Sequence, residues 1–193
     1  MKNQLSFLAL SAALLAAGCT EKPTDPNTKS GPFPILVSTN WIPSGYMGSG
    51  IAMSTSACAT RSSATAKGDC YQITYTPAGG WGGVFWQSPA NNWGTYAGKA
   101  VPAGAKKVTF FAKSDLDGQV VSFQAGGINT DGMAGAYKDS FMAKTDVSLT
   151  TAWKSYSIDM STQTYTEVFG GFEYTISSSA PVVFYLDDIK WSN

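Results

Sequence analysis

The sequence predicts an all-β domain over residues 33–193, either a sandwich or a barrel. From Phe33 onward, short runs in which apolar and polar residues alternate recur at intervals of roughly 8–15 residues. Gly, Pro, Asn and Asp separate these runs, as is typical of turns. No amphipathic pattern persists for three helical turns, so helices are not expected to contribute to the core.

Ten runs define the predicted strands. In chain order they are PILVS (34–38), GIAMST (50–55), CYQITYTP (70–77), VFWQ (84–87), KKVTFFAK (106–113), QVVSFQA (119–125), DSFMAKTD (139–146), WKSYSIDM (153–160), GGFEYTI (170–176) and VVFYLDDIKW (182–191). Between the fifth and sixth runs, residues 115–118 read Asp-Leu-Asp-Gly. Their Asp-Gly pair predicts a hairpin turn that joins these two strands.

The chain begins with a targeting segment. Lys2 supplies a positive charge, and residues 5–17 form an apolar run that is too short to span a bilayer. Residues 15–19, Leu-Ala-Ala-Gly-Cys, resemble the lipobox of bacterial lipoproteins, although the leucine stands one place early and Ala16 fills its usual position. We therefore expect residues 1–18 to be a lipoprotein signal peptide, with Cys19 acylated and anchored in the lipid bilayer. The alternative is an ordinary signal peptide with an incidental cysteine.

Residues 19–32 follow as a polar, proline-rich linker, and export places the protein in the bacterial cell envelope. In enteric lipoproteins, which this segment resembles, an aspartate after the acylated cysteine favours retention in the inner membrane. Thr20 stands at this position here, so the resemblance favours the outer membrane. The two other cysteines, Cys58 and Cys70, are an even pair in an oxidising compartment, which predicts one disulfide. Closing this short loop would contribute about 3 kcal/mol.

Charge and composition argue against several functions. Of the 13 basic residues, 12 remain without Lys2 against 13 acidic residues, and a nucleic-acid-binding surface needs an excess of basic ones. The chain has no histidine, so it cannot form a Ser-His-Asp triad or a Cys-His pair. A glycosidase needs two facing carboxylates, and Glu173 is the only glutamate in the middle of a predicted strand. We expect a protein that is not an enzyme and binds no nucleic acid.

An aromatic, glycine-rich stretch at residues 79–96 is the leading candidate for a binding site. Sugar rings stack their C–H faces on aromatic rings, and their hydroxyls bond to amides such as those found here. The candidate ligand contacts are Trp81, Phe85, Gln87, Trp93 and Tyr96. The alternative is that these rings fill the core of the sandwich. One of Phe85 and Trp86 must do so, and Trp86 is the better candidate, whereas Trp93 and Tyr96 follow in a predicted loop.

Strand alternation selects a second set of candidates. If Val108 and Val121 face the core, then the opposite sides of their strands carry Phe111, Lys113 and Gln124. The same rule places Glu173 on an outer face. Together with Phe85 and Gln87, these side chains would form a shallow platform that mixes aromatic, amide and charged groups. The alternative is an ordinary solvated sheet face.

Four segments together carry a resemblance to a known family. They are KKVTFFAKSDLDGQVVSFQAGG, TAWKSYSIDMST, FGGFEYTIS and the closing FYLDDIKW, and their order is similar to that in jelly-roll carbohydrate-binding modules of the galactose-binding-like superfamily. The resemblance covers most of residues 33–193. It implies a two-sheet antiparallel β-sandwich, or jelly roll, that binds a glycan without catalysis on a concave sheet face or at the loop ends.

The resemblance also implies a structural calcium ion near the closing strand, where Asp187 and Asp188 occupy the matching positions. Calcium takes six to eight oxygen ligands, and these two carboxylates are the only ones that can be named. The alternative is a surface pair or a hydrogen bond to the backbone at a bulge. Modules of this family usually accompany a catalytic domain in the same chain, and none is recognisable in this sequence.

These observations lead to one functional prediction and one alternative. The prediction is a non-catalytic, carbohydrate-binding lipoprotein that recognises a neutral or weakly acidic saccharide by aromatic stacking and amide hydrogen bonds. The alternative is a structural or interaction lipoprotein of the envelope, whose aromatic patch binds a protein partner.

Overall fold

A computed structural model describes residues 32–56, 70–130 and 135–193. The predicted signal peptide, Cys19, Cys58 and all of the predicted linker except Pro32 lie outside these ranges. The elements in chain order are β1 (Ile35–Leu36), α1 (Val37–Asn40), β2 (Ile42–Gly48), β3 (Ile51–Ser56), β4 (Cys70–Tyr75), β5 (Gly82–Gln87), β6 (Lys99–Ala100), β7 (Lys107–Ser114), β8 (Val120–Gly126), β9 (Met142–Ser148), β10 (Lys154–Asp159), β11 (Glu167–Val168), β12 (Gly170–Ile176) and β13 (Val182–Ser192).

The strands form two packed antiparallel sheets, which confirms the predicted all-β jelly-roll sandwich. The six-stranded sheet has the order β10-β7-β13-β4-β3, with β1 paired to β13, and the five-stranded sheet has the order β2-β5-β12-β8-β9. Strands β6 and β11 make a separate two-stranded ladder. No helix in the described part of the chain is long and apolar enough to cross a membrane.

Alternating side chains from both sheets meet in one apolar core. In β7 the residues that point inward are Val108, Phe110 and Ala112, and in β8 they are Val121, Phe123 and Ala125. The Phe110 and Phe123 rings lie 4.5 Å apart, centroid to centroid, across the space between the sheets. The face assignments made from these two runs are therefore correct. Burying such aromatic and aliphatic side chains supplies most of the driving force for folding.

Two local predictions are wrong. The turn at residues 115–118 does not close a hairpin, because β7 pairs with β10 and β13 in one sheet while β8 pairs with β12 and β9 in the other. This turn carries the chain across the sandwich. The first run, PILVS, is a strand only over Ile35–Leu36 and continues as the helical turn α1, whose Val37 is buried in the core.

Candidate functional site

The outer face of the five-stranded sheet brings predicted site residues from three strands side by side, Phe85 on β5, Glu173 on β12 and Gln124 on β8. Directly opposite residues in an antiparallel ladder share a face, so the register defines rows across the sheet. One row, called the Glu173 row, contains Gly45, Phe85, Glu173, Gln124 and Lys144. The next row on the same face, called the Ser122 row, contains Met47, Gly83, Thr175, Ser122 and Asp146.

The Glu173 row has a carboxyl group at its centre. The Glu173 side chain is 6% exposed, and none of the hydrogen bonds found within the described residues goes to its carboxyl group. Burial raises the pKa of Glu173 from 4.5 to about 7, and the opposing effect of Lys144 only partly offsets this rise. The side-chain amide of Gln124, which lies opposite Glu173 in the row, donates to the carbonyl of Gly126 at 3.0 Å.

The Ser122 row opens into a cleft. Its volume is about 420 Å³, and the cleft is lined by Trp81, Val120, Ser122, Thr175, Ile176 and Ser177. The Ser122 hydroxyl donates to the Asp146 carboxylate, so the row presents an oriented hydroxyl and a charged acceptor. Between these groups and Met47, the row holds Thr175 and Gly83. At Gly83 a Cβ atom would collide with the Tyr174 carbonyl and approach Thr175 Cγ2 to 2.8 Å.

Trp81 lines this cleft and is 45% exposed. The turn that carries it is held by three hydrogen bonds. The Gly80 carbonyl accepts from the Tyr75 hydroxyl at 3.1 Å and from the Ser177 hydroxyl at 2.7 Å, and the Trp81 carbonyl accepts from the Ser49 amide at 3.0 Å. Gly80 has φ +122°, a conformation that glycine adopts without strain. These bonds fix the backbone from which the exposed Trp81 ring projects.

Loops cover the opposite end of the face with a small second core. It consists of Phe85, Ile128 and Phe169, with Met47 and Trp93 packed against them. Trp93 meets Phe85 edge to face, with ring centroids 5.9 Å apart and planes at 85°. Trp93 is therefore half-buried and supports the loop, whereas the prediction placed it among the exposed stacking residues. Phe85 points away from the main core, as the predicted platform required. The second core nevertheless buries its ring.

Two buried polar side chains hold these loops. The side-chain oxygen Oδ1 of Asn92 accepts from the backbone amides of Gly94, Thr95 and Tyr96. The Asp139 carboxylate accepts from the amides of Phe169 at 2.8 Å, Ile128 at 3.0 Å and Gly170 at 3.2 Å. Burial nevertheless raises the pKa of Asp139 to about 6, because these three bonds only partly offset the cost of desolvating the charge. The sequence analysis did not predict that Asn92 and Asp139 hold these loops.

The remaining members of the aromatic stretch separate by environment. Trp86 is fully buried and packs against Phe172, Tyr174 and Tyr71, so its predicted structural role is confirmed. Gln87 is also fully buried, and its side-chain oxygen Oε1 accepts from the Ser44 hydroxyl at 3.2 Å. Tyr96 is 63% exposed at the surface of the loop. Exposure therefore favours Trp81 and Tyr96, not Phe85, Trp93 or Gln87, as residues that a ligand could reach.

Phe111 and Lys113 do not join this site, which corrects the predicted platform. Both lie on the outer face of the six-stranded sheet, on the far side of the sandwich from Gln124 and Glu173. The Lys113 ammonium lies 4.6 Å from the centroid of the Tyr185 ring and 6.0 Å from that of Trp153. The prediction failed because β7 and β8 were taken as a hairpin within one sheet.

The predicted calcium ligands lie at an irregularity in β13. The β7–β13 register shifts between Asp187 and Lys190, and Asp188 has φ +50°. Asp187 Oδ1 accepts from the Asp188 amide at 2.7 Å, and Asp188 Oδ2 pairs with the Lys190 ammonium at 2.9 Å. Within the described ranges, no group of three or more acidic, cysteine or histidine side chains could hold a metal. The calcium ion at Asp187 and Asp188 therefore stays a prediction, which adding and chelating calcium with the full chain would test.

The predicted disulfide reaches the described part of the chain at one end only. Cys70 begins β4 and is fully buried. Since Cys58 lies outside the described residues, the Cys58–Cys70 bond stays a prediction, as does acylation of Cys19.

Solved structures of carbohydrate-binding modules are similar to this chain in fold. A family 11 carbohydrate-binding module from Clostridium thermocellum, in complex with a β-1,3-1,4-mixed-linked tetrasaccharide, is 16% identical with a TM-score of 0.53, covering 80% of this chain and 89% of the module. The family 11 module of the cellulosomal cellulase Lic26A-Cel5E of Clostridium thermocellum is 16% identical with a TM-score of 0.50, covering 80% and 88%. The suspected resemblance to jelly-roll modules is thereby confirmed for the fold.

A third similar structure belongs to a larger protein. The Spr0440 glycoside hydrolase domain of Endo-D from Streptococcus pneumoniae is 13% identical with a TM-score of 0.51, and the match covers 76% of this chain but 21% of that one. No protein-family model matches the sequence, and no curated protein matches it. At these identities the similarity establishes the jelly-roll fold, and the site has to be argued from its own residues.

Proposed function

We propose that this protein is a non-catalytic carbohydrate-binding module whose site is the outer face of the five-stranded sheet. One observation carries the proposal: an exposed tryptophan on an anchored backbone, Trp81, shares a cleft with the hydroxyl groups of Ser122, Thr175 and Ser177. The Asp146 carboxylate lies next to the cleft, bonded to Ser122. An aromatic ring contributes on the order of 1 kcal/mol to a stacked contact beyond its buried area. The Ser122, Thr175 and Asp146 side chains add hydrogen bonds of the kind that sugar hydroxyls make.

The chemistry of the face favours a neutral or weakly acidic saccharide. Its charged groups are Lys144 and Asp146 on β9, one of each sign, and Glu173, which is partly protonated near neutral pH because burial raises its pKa to about 7. A strongly anionic ligand would need an excess of cationic groups. The solved module with a mixed-linked tetrasaccharide shares this fold, which makes that oligosaccharide a suitable first probe.

A binding role fits this face better than glycoside hydrolysis. Hydrolysis requires a pair of carboxyl groups on either side of the scissile bond. Asp146 is bonded to Ser122, and β8 separates it from Glu173 on β12. Glu173 therefore lacks a facing carboxylate within the described part of the face.

The test is isothermal titration of the full chain with the β-1,3-1,4-mixed-linked tetrasaccharide and with neutral gluco-, manno- and xylo-oligosaccharides. We expect Kd values in the millimolar to micromolar range. Trp81→Ala should weaken binding by about tenfold, as removal of one stacked ring requires. The matched control is Trp153→Ala, which removes a half-buried tryptophan beside Lys113 and Tyr185 on the other sheet.

Two outcomes would contradict the proposal. Equal losses in the two tryptophan variants would show that the Trp81 cleft is not the site. An absence of binding across the panel would instead favour the envelope protein whose aromatic patch contacts a protein partner.

We also propose that acylated Cys19 anchors this module in the bacterial outer membrane. The support is the lipobox-like sequence at residues 15–19 and the threonine at position 20. Metabolic labelling with a fatty acid in the native host should be lost in Cys19→Ser, and membrane fractionation should place the unmodified sequence in the outer membrane. Labelling that persists in the variant would refute the anchor.

A further inference from the structure

The carboxyl group of Glu173 is buried at the centre of the site face, and the proposed function gives it no role. Glu173 lies opposite Phe85 on one neighbouring strand and opposite Gln124 on the other. Burying a carboxyl group without a hydrogen-bond partner is costly, and native proteins rarely retain one without a reason. The fully enclosed side-chain atoms without a hydrogen-bond partner among the described residues do not include the Glu173 oxygens, so these oxygens are not completely covered by protein.

The protein offers little to stabilise the charged form of this group. The described residues that flank it, Phe85 and Gln124, are uncharged, and the Gln124 amide is bonded to the Gly126 carbonyl. The charged side chains on this face belong to β9: Lys144, which lies in the same row, and Asp146, which lies in the next row and is bonded to Ser122. Lys144 favours the carboxylate, and the effect is smaller than that of burial.

A saccharide would bring the missing donors. Each sugar hydroxyl can donate a hydrogen bond, and an ionised carboxylate accepts such bonds at both oxygens, whereas the protonated acid accepts fewer. Bonds to the charged form are also the stronger ones and lower the pKa of the acid. A ligand on this face therefore stabilises the carboxylate over the acid.

We propose that Glu173 couples saccharide binding to the release of a proton, so that the site holds its ligand more tightly as the pH rises. This inference rests on the proposed function, because it concerns the same face. The proton leaves the Glu173 carboxyl group for solvent when the sugar hydroxyls occupy it. The coupling makes binding weak in acidic surroundings and full in neutral to alkaline ones.

The expected size follows from linkage. If the bound carboxyl group titrates near the ordinary glutamate value, binding should be about tenfold weaker at about pH 6 than at about pH 8. Close to one proton should be released per saccharide at about pH 6, and almost none at about pH 9. Titration calorimetry of the full chain with the mixed-linked tetrasaccharide, in buffers of different ionisation enthalpy, measures both quantities.

Three variants separate Glu173 from other titrating groups. Glu173→Gln should flatten the pH profile and abolish proton release, whatever it does to the absolute affinity. Lys144→Met removes the cation that lowers the pKa of Glu173, so the rise in affinity should move to higher pH. Glu167→Gln, an exposed glutamate on β11, should leave the profile unchanged. Burial also raises the pKa of Asp139, so this residue could produce a pH-dependent affinity of its own. In that case the pH dependence of binding would persist in Glu173→Gln.

The outcomes distinguish the two proposals. Binding with a flat pH profile, or a profile that survives Glu173→Gln, overturns proton coupling and leaves carbohydrate binding intact. Affinity that rises as the pH falls also overturns it, since the protonated acid would then be the binding form. An absence of binding at every pH refutes the proposed function and, with it, the coupling.

Discussion

Replacing Glu173 with glutamine should remove a pH-dependent cost from the folded state of the unliganded protein. Glu173 is 6% exposed, and burial raises the pKa of its carboxyl group from 4.5 to about 7 on folding. Between these two values the folded chain holds a proton that the unfolded chain has released. The free energy of unfolding therefore falls as the pH rises through this window, and the full cost is present above about pH 7.

The magnitude follows from the two pKa values. One pKa unit corresponds to about 1.4 kcal/mol, so the shift amounts to about 3 kcal/mol in the free energy of unfolding. The measured quantity is the unfolding free energy of Glu173→Gln minus that of the unmodified chain. This difference should increase by about 3 kcal/mol when the pH is raised from about 4 to about 8.5. The cost of placing an amide at position 173 does not depend on pH, so it cancels when the differences at the two pH values are compared.

Urea denaturation at a series of pH values measures this difference. Glu167→Gln is the matched control, because it changes the same functional group at an exposed position on β11, and its stability difference should stay constant with pH. If Glu173→Gln and the unmodified chain keep parallel pH profiles, the carboxyl group is not destabilised by burial, and the argument for ligand-induced ionisation loses its basis.

The remaining predictions concern packing and loop support, and urea denaturation measures each. Trp86→Ala should lower the unfolding free energy by about 3–5 kcal/mol because its ring fills the core, whereas Tyr96→Ala should change it by less than about 0.5 kcal/mol. Asp139→Ala should cost about 3 kcal/mol or more, since three buried amides lose their acceptor. Gly171→Ala should cost about 1–3 kcal/mol, because the added Cβ would overlap the Trp41 ring. A neutral result for Asp139→Ala would argue against its role in holding the loops, and a neutral one for Gly171→Ala against tight packing there.

Local alternation was enough to predict most strands and their buried faces. The rule that neighbouring side chains point to opposite sides of a strand correctly assigned Val108, Phe110, Val121 and Phe123 to the core. It also placed Glu173 on an outer face. These assignments depend only on neighbours along the chain, so they needed no knowledge of which strands pair.

The composition of the site face could not be predicted in the same way. The alternation in residues 139–146 contained the signal for Lys144 and Asp146, but nothing in that run shows which strand β9 joins. The same gap produced the error at Phe111 and Lys113, because a turn that crosses between sheets has the same Asp-Gly sequence as one that closes a hairpin.

The sequence by itself determined the all-β class, most of the strands and the concentration of aromatic residues at 79–96, because backbone geometry imposes a two-residue period on any strand with one buried face. Tertiary structure alone decided which aromatic rings a ligand can reach. Trp93 and Phe85 are covered by loops that Asn92 and Asp139 hold in place, whereas Trp81 stays exposed beside Ser122 and Thr175. Exposure depends on packing between segments far apart in the chain, and a residue's own neighbours do not encode it.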